Sequence, residues 1–501
     1  MLGRIGCWPA AALVLVLLLG APLGRAAAQD GTVAAYHADG ARSGHYVVPG
    51  MTWARAASLR RDAAFDGRVP GHVYAQPLYW RPAGRAHGLL LVATEDNNVV
   101  ALDAATGRDV WRRSLGPATA RSVLPCGDVD PLGITGTPVI DARTGAVFLD
   151  AMVDDGGGPR QLVFGLALRD GSVLPGWPLD MAAALRAAGQ TFHARLQNQR
   201  GALALAGDRL FVPYGGHWGD CGDYHGWVVG LRVDRPAVFG AWRTTASKGG
   251  IWAPGGIAFD GRDLYAATGN TQGAGQWSGG EAVIRLPLNL RWRPDPRDYF
   301  APADWRDLDA NDADLGGTNP LPLDVPAGSG TARLLLALGK DGKAYLLDRA
   351  DLGGIGHALA VQHVADGPII TAPASWPAGR EVMVAFQGRA ASCPGGGERA
   401  GVIALGIDGG PPASMRVAWC APLDGQGTAI VTTSNGHADP IVWITGAGGD
   451  ARLHGFRGDT GQVLFDGGRM AGLRRFGTIL GAEGRLYVAG DGRVYAFNFA
   501  R

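Results

Sequence analysis

At 501 residues the chain is too long for one ordinary single-core domain. Its charge is almost balanced, 46 Lys+Arg against 45 Asp+Glu, so no basic field exists to hold a nucleic acid. Glycine, 80 of 501 residues, is used about twice as often as usual. It falls mostly between short apolar runs, which marks turns rather than a flexible linker.

In chain order, the first segment reads as a signal peptide spanning residues 1–28. Arg4 precedes the apolar run Ala10–Leu19, and Ala26-Ala27-Ala28 supplies small residues for cleavage after Ala28. Cys7 lies before the apolar run, so it is not a lipid-attachment site. No apolar run reaches the ~20 residues of a membrane span. The expectation is a periplasmic or secreted protein with one mature domain over residues 29–501. Export permits disulfides, and four cysteines remain: Cys126, Cys221, Cys393 and Cys420. Sequence alone allows three pairings. There is neither a CxxC nor a CxxCH, so no zinc ribbon and no attached c-type haem is indicated.

Leu59–Phe65 is an orphan strand. From Leu89 a degenerate unit begins, clearest in LLLVATEDNNVVALDAATGRDVWRRSLG. Each unit holds short apolar strands separated by Gly/Asp turns. The third strands are marked by Leu102, Leu168, Leu231, Leu286, Leu347, Leu405, Phe456 and Phe497. Spacings of roughly 41 to 66 residues suit propeller blades with variable loops. The expected fold is an all-β, eight-bladed β-propeller of four-stranded antiparallel blades, with seven blades as the alternative. The last unit has only three strands before the chain ends, so Leu59–Phe65 is expected to supply the fourth and close the ring. Asp180–Ala188 is the one helical turn expected, between units.

Strand order assigns loops to faces. Second-to-third-strand loops and blade-to-blade connections share one face. It carries the long segments Tyr214–His225, Asn270–Gly279, Asp298–Gly317 and Arg389–Arg399, and binding is expected there. Turns such as Asp260–Asp263 share the opposite face. The cysteines map to the long-loop face, where blade proximity favours Cys126–Cys221 and Cys393–Cys420.

The stretch GGIWAPGGIAFDGRDLYAATGNT, from Gly249 to Thr271, places Trp252 and Asn270 at one end of a strand pair. It resembles the strand pair of quinoprotein alcohol dehydrogenases, propellers that bind pyrroloquinoline quinone (PQQ) and calcium. The resemblance implies that Trp252 stacks on the quinone and that Asn270 coordinates calcium. LALGKDGKAYLLDR resembles the motif whose basic residue bonds the quinone oxygens, here Lys340. The catalytic aspartate should lie in DWRDLDANDADLGG, which offers Asp304, Asp307, Asp309, Asp312 and Asp314; Asp312 is favoured. Each residue also has a plainer reading. Trp252 could fill packing between blades, Asn270 could be a turn residue, and Lys340 could be a solvated hairpin tip.

Two departures from the family stand out. GGHWGDCGDYHGWVVGL carries no glutamate where a carboxylate metal ligand belongs, leaving Asp220 or Asp223; Asp223 is taken as the ligand. The adjacent-cysteine pair is replaced by PCGDVDPLG with Cys126 alone. His217, Asp220, Asp223 and His225 match no zinc spacing; they are expected to hydrogen-bond the loop around Cys221. Two functions follow. One is a PQQ- and calcium-dependent dehydrogenase of an alcohol or sugar, passing electrons to a separate carrier. The other is a non-catalytic propeller presenting its long-loop face to a protein or polymer.

Overall fold

The computed structural model describes residues 1–3, 31–394 and 400–499. Most of the expected signal peptide lies outside them. The chain forms an eight-bladed propeller of antiparallel blades. Blade 1 consists of Leu78–Trp80, Leu89–Ala93, Asn98–Asp103 and Asp109–Ser114. The first strands of blades 2 to 8 are Val139–Asp141, Ala204–Ala206, Ala258–Phe259, Leu321–Ala327, Ala374–Ala378, Ile430–Thr433 and Ile479–Ala482. Seven of the eight marker residues lie in third strands, and Leu168 follows Arg160–Ala167 directly.

Burial explains the blade. Second strands such as Leu89–Ala93, Ala146–Val153 and Leu264–Thr268 are buried along their whole length. They are packed on both faces by neighbouring sheets, so they read as continuous apolar runs. Outer strands meet water, and Asp109–Ser114 keeps no fully buried residue. Outer tryptophans fasten successive blades. Trp111 Nε1 donates to Leu168 O at 2.9 Å and Trp419 Nε1 to Gly458 O at 2.8 Å. Gly171 and Gly461 lie under those indoles at φ +69° and +74°, where a Cβ would come within 2.6 Å of the ring.

The ring closes as expected. Leu59–Arg61 pairs antiparallel with Arg493–Phe499, Leu59 opposite Phe499. The strand is shorter than the predicted Leu59–Phe65, because the chain turns at Asp62, whose carbonyl accepts from Phe65 N at 3.3 Å and whose side chain accepts from Ala64 N at 3.0 Å. Both favoured disulfides are present, Cys126–Cys221 and Cys393–Cys420, with Cα atoms 6.0 and 5.8 Å apart. The helix between blades 2 and 3 is Met181–Ala187, capped by Asp180, which accepts from Ala183 N at 3.0 Å. Trp53–Ala56 and Trp305–Ala310 are helical as well, against the expectation of a single helical turn.

Residues 33–48 fill the axis. Their carbonyls accept from innermost strands around the ring: Ala34 O from Ile140 N, Gly40 O from Phe259 N, Ser43 O from Ser375 N and Gly44 O from Val431 N. At the centre Arg42 is fully buried. It donates to Leu203 O at 2.8 Å, Ile257 O at 3.0 Å and Tyr36 O at 3.3 Å. His37, stacked on Tyr36 at 4.4 Å, is pushed down to about 3 by burial and is neutral. A charge held by carbonyl dipoles on the axis ties blades 3 and 4 to the N-terminal segment.

Between blades 2 and 3, Tyr214 Oη donates to Asp150 Oδ2 at 2.7 Å, while Asp150 Oδ1 is buried without a partner. Burial pushes this carboxyl up to about 8. An acid raised on folding gives its full stability below the unfolded value near 4 and loses it as pH climbs toward 8. Asp150→Asn does not titrate and retains an acceptor for Tyr214. Urea unfolding at pH 5 and pH 9 should therefore show the variant gaining on the wild type by about 1 kcal/mol or more. Parallel pH profiles would show that Asp150 is ionised in the fold.

Candidate functional site at the axis of the long-loop face

Four of the predicted site residues meet. Trp252 lies on the connection into blade 4 and Asn270 follows that blade's second strand, Leu264–Thr268. Lys340 follows the second strand of blade 5, Gly330–Leu338. Asp312 lies on the connection between those blades. The residue that joins them is Asp314, 3 % exposed. Its Oδ2 accepts from Trp252 Nε1 at 3.1 Å and stands 2.7 Å from Lys340 Nζ; its Oδ1 accepts from Asn270 N at 2.8 Å. Burial raises the Asp314 acid, and the Lys340 ammonium opposes that shift. Lys340 Nζ also donates to Asp312 Oδ1 at 2.8 Å, and Asn270 Nδ2 reaches the same oxygen at 3.5 Å. The Asp312 side chain is 68 % exposed.

The local sequence makes this approach possible. A Cβ on Gly316, in the turn Leu315–Gly317, would lie 2.6 Å from Gly269 N. One on Gly269 would lie 3.0 Å from Trp252 Nε1 and 3.1 Å from Asp314 Oδ1. The glycines of TGN and DLGG let the two segments touch, which seats the carboxylate against the indole N–H and the Asn270 backbone N–H.

Asp223 lies outside this cluster. It is exposed, and a hydrogen bond with Ser247 lowers its carboxyl. Asp220 accepts from Tyr224 Oη at 2.5 Å and from Gln272 Nε2 at 3.3 Å, linking its loop to the one after Asn270. His217 Nε2 donates to Arg195 O at 3.0 Å and His225 Nδ1 to Ala246 O at 2.8 Å; both support the loops around Cys221. Asp304 pairs with Lys343 at 2.8 Å. Asp309 accepts from Thr271 N, from Thr271 Oγ1 at 2.8 Å and from Gly273 N at 2.5 Å, fixing the Asn270 loop.

Sequence reasoning missed several neighbours. Glu281 is fully buried; its Oε2 accepts from Leu315 N at 2.7 Å and its Oε1 has no partner. Burial, then the neighbouring Asp314 charge, push its carboxyl up. Arg200, on the connection into blade 3, stands 5.7 Å from the Trp252 ring and 4.3 Å from the Phe476 ring. Burial lowers its pKa, and among the described residues its guanidinium meets no carboxylate. Lys340 Nζ is 5.1 Å from the same indole. Glu95, buried on blade 1, accepts from Gly133 N at 2.8 Å, and burial pushes it up to about 7. No local motif signals Arg200, Phe476 or Glu95.

An aromatic surface flanked by an ammonium and an unpaired guanidinium suits a flat anion. The amide of Asn270 with two carboxylates is an all-oxygen set suited to a hard cation, with Lys340 Nζ now bridging the carboxylates. The donor chemistry thus fits both PQQ and a metal ion.

Comparison with solved structures gives the class of fold. The chain has the propeller seen in PQQ-type alcohol and methanol dehydrogenases. It is similar to the quinohemoprotein alcohol dehydrogenase of Comamonas testosteroni, with a TM-score of 0.64 and 16 % identity over 94 % of this chain and 81 % of that one. A quinohemoprotein alcohol dehydrogenase of Pseudomonas putida HK5 gives 0.66 and 14 %, over 94 % and 80 %. A europium-containing methanol dehydrogenase gives 0.61 and 15 %, over 92 % and 90 %. At these identities the likeness is one of fold. No protein-family profile and no curated protein matches the sequence. No helix among the described residues is long and apolar enough to cross a membrane.

Proposed function

We propose that this protein is an exported quinoprotein dehydrogenase that oxidises a small alcohol or sugar, using PQQ and a metal ion. The observation that carries the reading is Asp314, buried and bonded at once to Trp252, Asn270 and Lys340. Trp252 offers the flat surface for the quinone, with Lys340 and Arg200 placed to meet its anionic oxygens. Asn270 and Asp314 offer oxygens to the metal, and the further carboxylate would come from the Tyr214–His225 loop, Asp220, tied to the loop after Asn270, or, by a movement of that loop, Asp223. When bound, the quinone supplies the hydride acceptor. Asp312 is the exposed carboxylate of the cluster and so takes the substrate hydroxyl proton. Lys340 holds Asp312 in place and stabilises negative charge beside it. Electrons leave to a separate carrier.

A titration of tryptophan fluorescence tests this. PQQ with calcium, and separately with europium(III), should quench saturably. Trp252→Ala should weaken binding about tenfold, the worth of one aromatic stacking contact. Asn270→Ala should weaken the metal requirement, and Asp220→Asn against Asp223→Asn separates the two candidate ligands. Absence of saturable quenching with either ion would sink the cofactor reading. That outcome would favour a binding propeller for a protein or polymer, a reading supported by Lys340 already neutralising both carboxylates.

A further inference from the structure

A cavity lies on the short-turn face, between blades 4 and 5. It measures about 350 Å³ and is lined by Arg262, Arg285, Arg291, Arg293, Arg333 and Arg349. Such density is unusual in a chain whose total charge is only +1. Four of the six are matched by carboxylates. Arg285 pairs with Asp298 at 2.5 Å, Arg262 with Asp263 at 3.5 Å, and Arg333 and Arg349 share Asp260 at 2.8 and 3.0 Å. Arg349 also pairs with Asp324. Among the described residues, Arg291 and Arg293 meet no carboxylate, and both are exposed.

Two buried donors at this cavity are also unspent. Arg349 is 5 % exposed, and its Nε has no hydrogen-bond partner; neither has Trp292 Nε1. Buried donors of this kind are rare in folded proteins and call for an acceptor. The backbone turns sharply just before Trp292. Leu290, a buried branched residue, adopts φ +54°, and Trp292 N donates back to Leu290 O at 3.1 Å. That turn sends Arg291, Trp292 and Arg293 along the cavity, at a backbone conformation branched residues avoid.

We propose that this cleft is a binding site for a phosphate group, free or carried as the ester of a small molecule. A phosphate supplies acceptor oxygens for the Arg349 and Trp292 N–H groups and the double negative charge that Arg291 and Arg293 leave uncompensated. Guanidinium forks match its oxygens in pairs. The volume admits a group of sugar-phosphate size. The cleft is on the opposite face from Trp252, so it is independent of the quinone proposal.

Calorimetric titration of the mature protein, without metal or PQQ and in 150 mM sodium chloride, tests the site. Inorganic phosphate should bind saturably, and a hexose phosphate should bind more tightly if the physiological ligand is an ester, equally if it is the free ion. Arg291→Ala/Arg293→Ala removes only exposed, unpaired side chains and should weaken binding at least tenfold with an unchanged circular dichroism spectrum. Trp292→Phe, which loses only the indole donor, should weaken it severalfold. No saturable binding by the wild type, or equal binding by the double variant, overturns the proposal.

Discussion

Asp314→Ala should destabilise the fold by about 3 kcal/mol and abolish the quenching of Trp252 by PQQ and metal. Breaking a buried ion pair on one side costs about 3–5 kcal/mol, because the partner keeps its charge without compensation. Here the lower figure applies, since Lys340 retains the exposed carboxylate of Asp312 at 2.8 Å. The loss also strips the acceptor from the Trp252 indole and the Asn270 amide, so the aromatic surface and the metal oxygens lose their common anchor. Asp314→Asn keeps an acceptor of the same shape and removes only the charge, so its cost should be smaller. Urea unfolding gives the energies. A change under about 1 kcal/mol for the alanine variant, with quenching intact, would show that the cluster is held by something else.

The second large effect concerns the cross-link Cys126–Cys221, which spans 95 residues. On chain-entropy grounds a loop of that length is worth about 4–5 kcal/mol, against about 3–4 for the 27-residue loop of Cys393–Cys420. Replacing both members of the long pair by serine should therefore lower the urea midpoint more than the same change at the short pair. Reduction of the wild type should reproduce the sum. The long pair also joins the blade 1–2 connection to the Tyr214–His225 loop beside Asp220. Its removal should weaken any ligand response that depends on Asp220. If the short pair proves the costlier, unfolded-state entropy is not what these bridges supply.

Local chemistry made much of this architecture readable. Gly/Asp turns and continuous apolar second strands recur in every blade, so the third strands, the closing strand and both disulfides follow from neighbouring residues. The site was readable in part. Asn270 and Lys340 follow second strands and Trp252 lies on a blade-to-blade connection, positions that share one face of the disc. Choosing among five aspartates was harder, because the helix Trp305–Ala310 and the turn Leu315–Gly317 decide which carboxylate turns inward. Asp309 and Asp314 both turn inward, and of the two it is Asp314 that meets Trp252, Asn270 and Lys340, while the favoured Asp312 stays in water. Arg200, Phe476 and Glu95 come from three other blades, and only closure of the ring brings such distant segments to one hollow. The axial filling by residues 33–48 left no periodic signal either, since its hydrogen bonds are spread over blades 1, 2, 4, 6 and 7 and only His45–Val47 runs as a strand, parallel to Val431–Thr433.

The pairing of Leu59–Arg61 with Arg493–Phe499 has a bearing on how the chain is made. Synthesis runs from the N-terminus, so the closing stitch must wait, unpaired, until its mate leaves the ribosome. Seven blades are translated before that moment, and an open disc exposes the flank of its first and last sheets throughout. Those edges stay open to wrong partners until the circle is sewn shut.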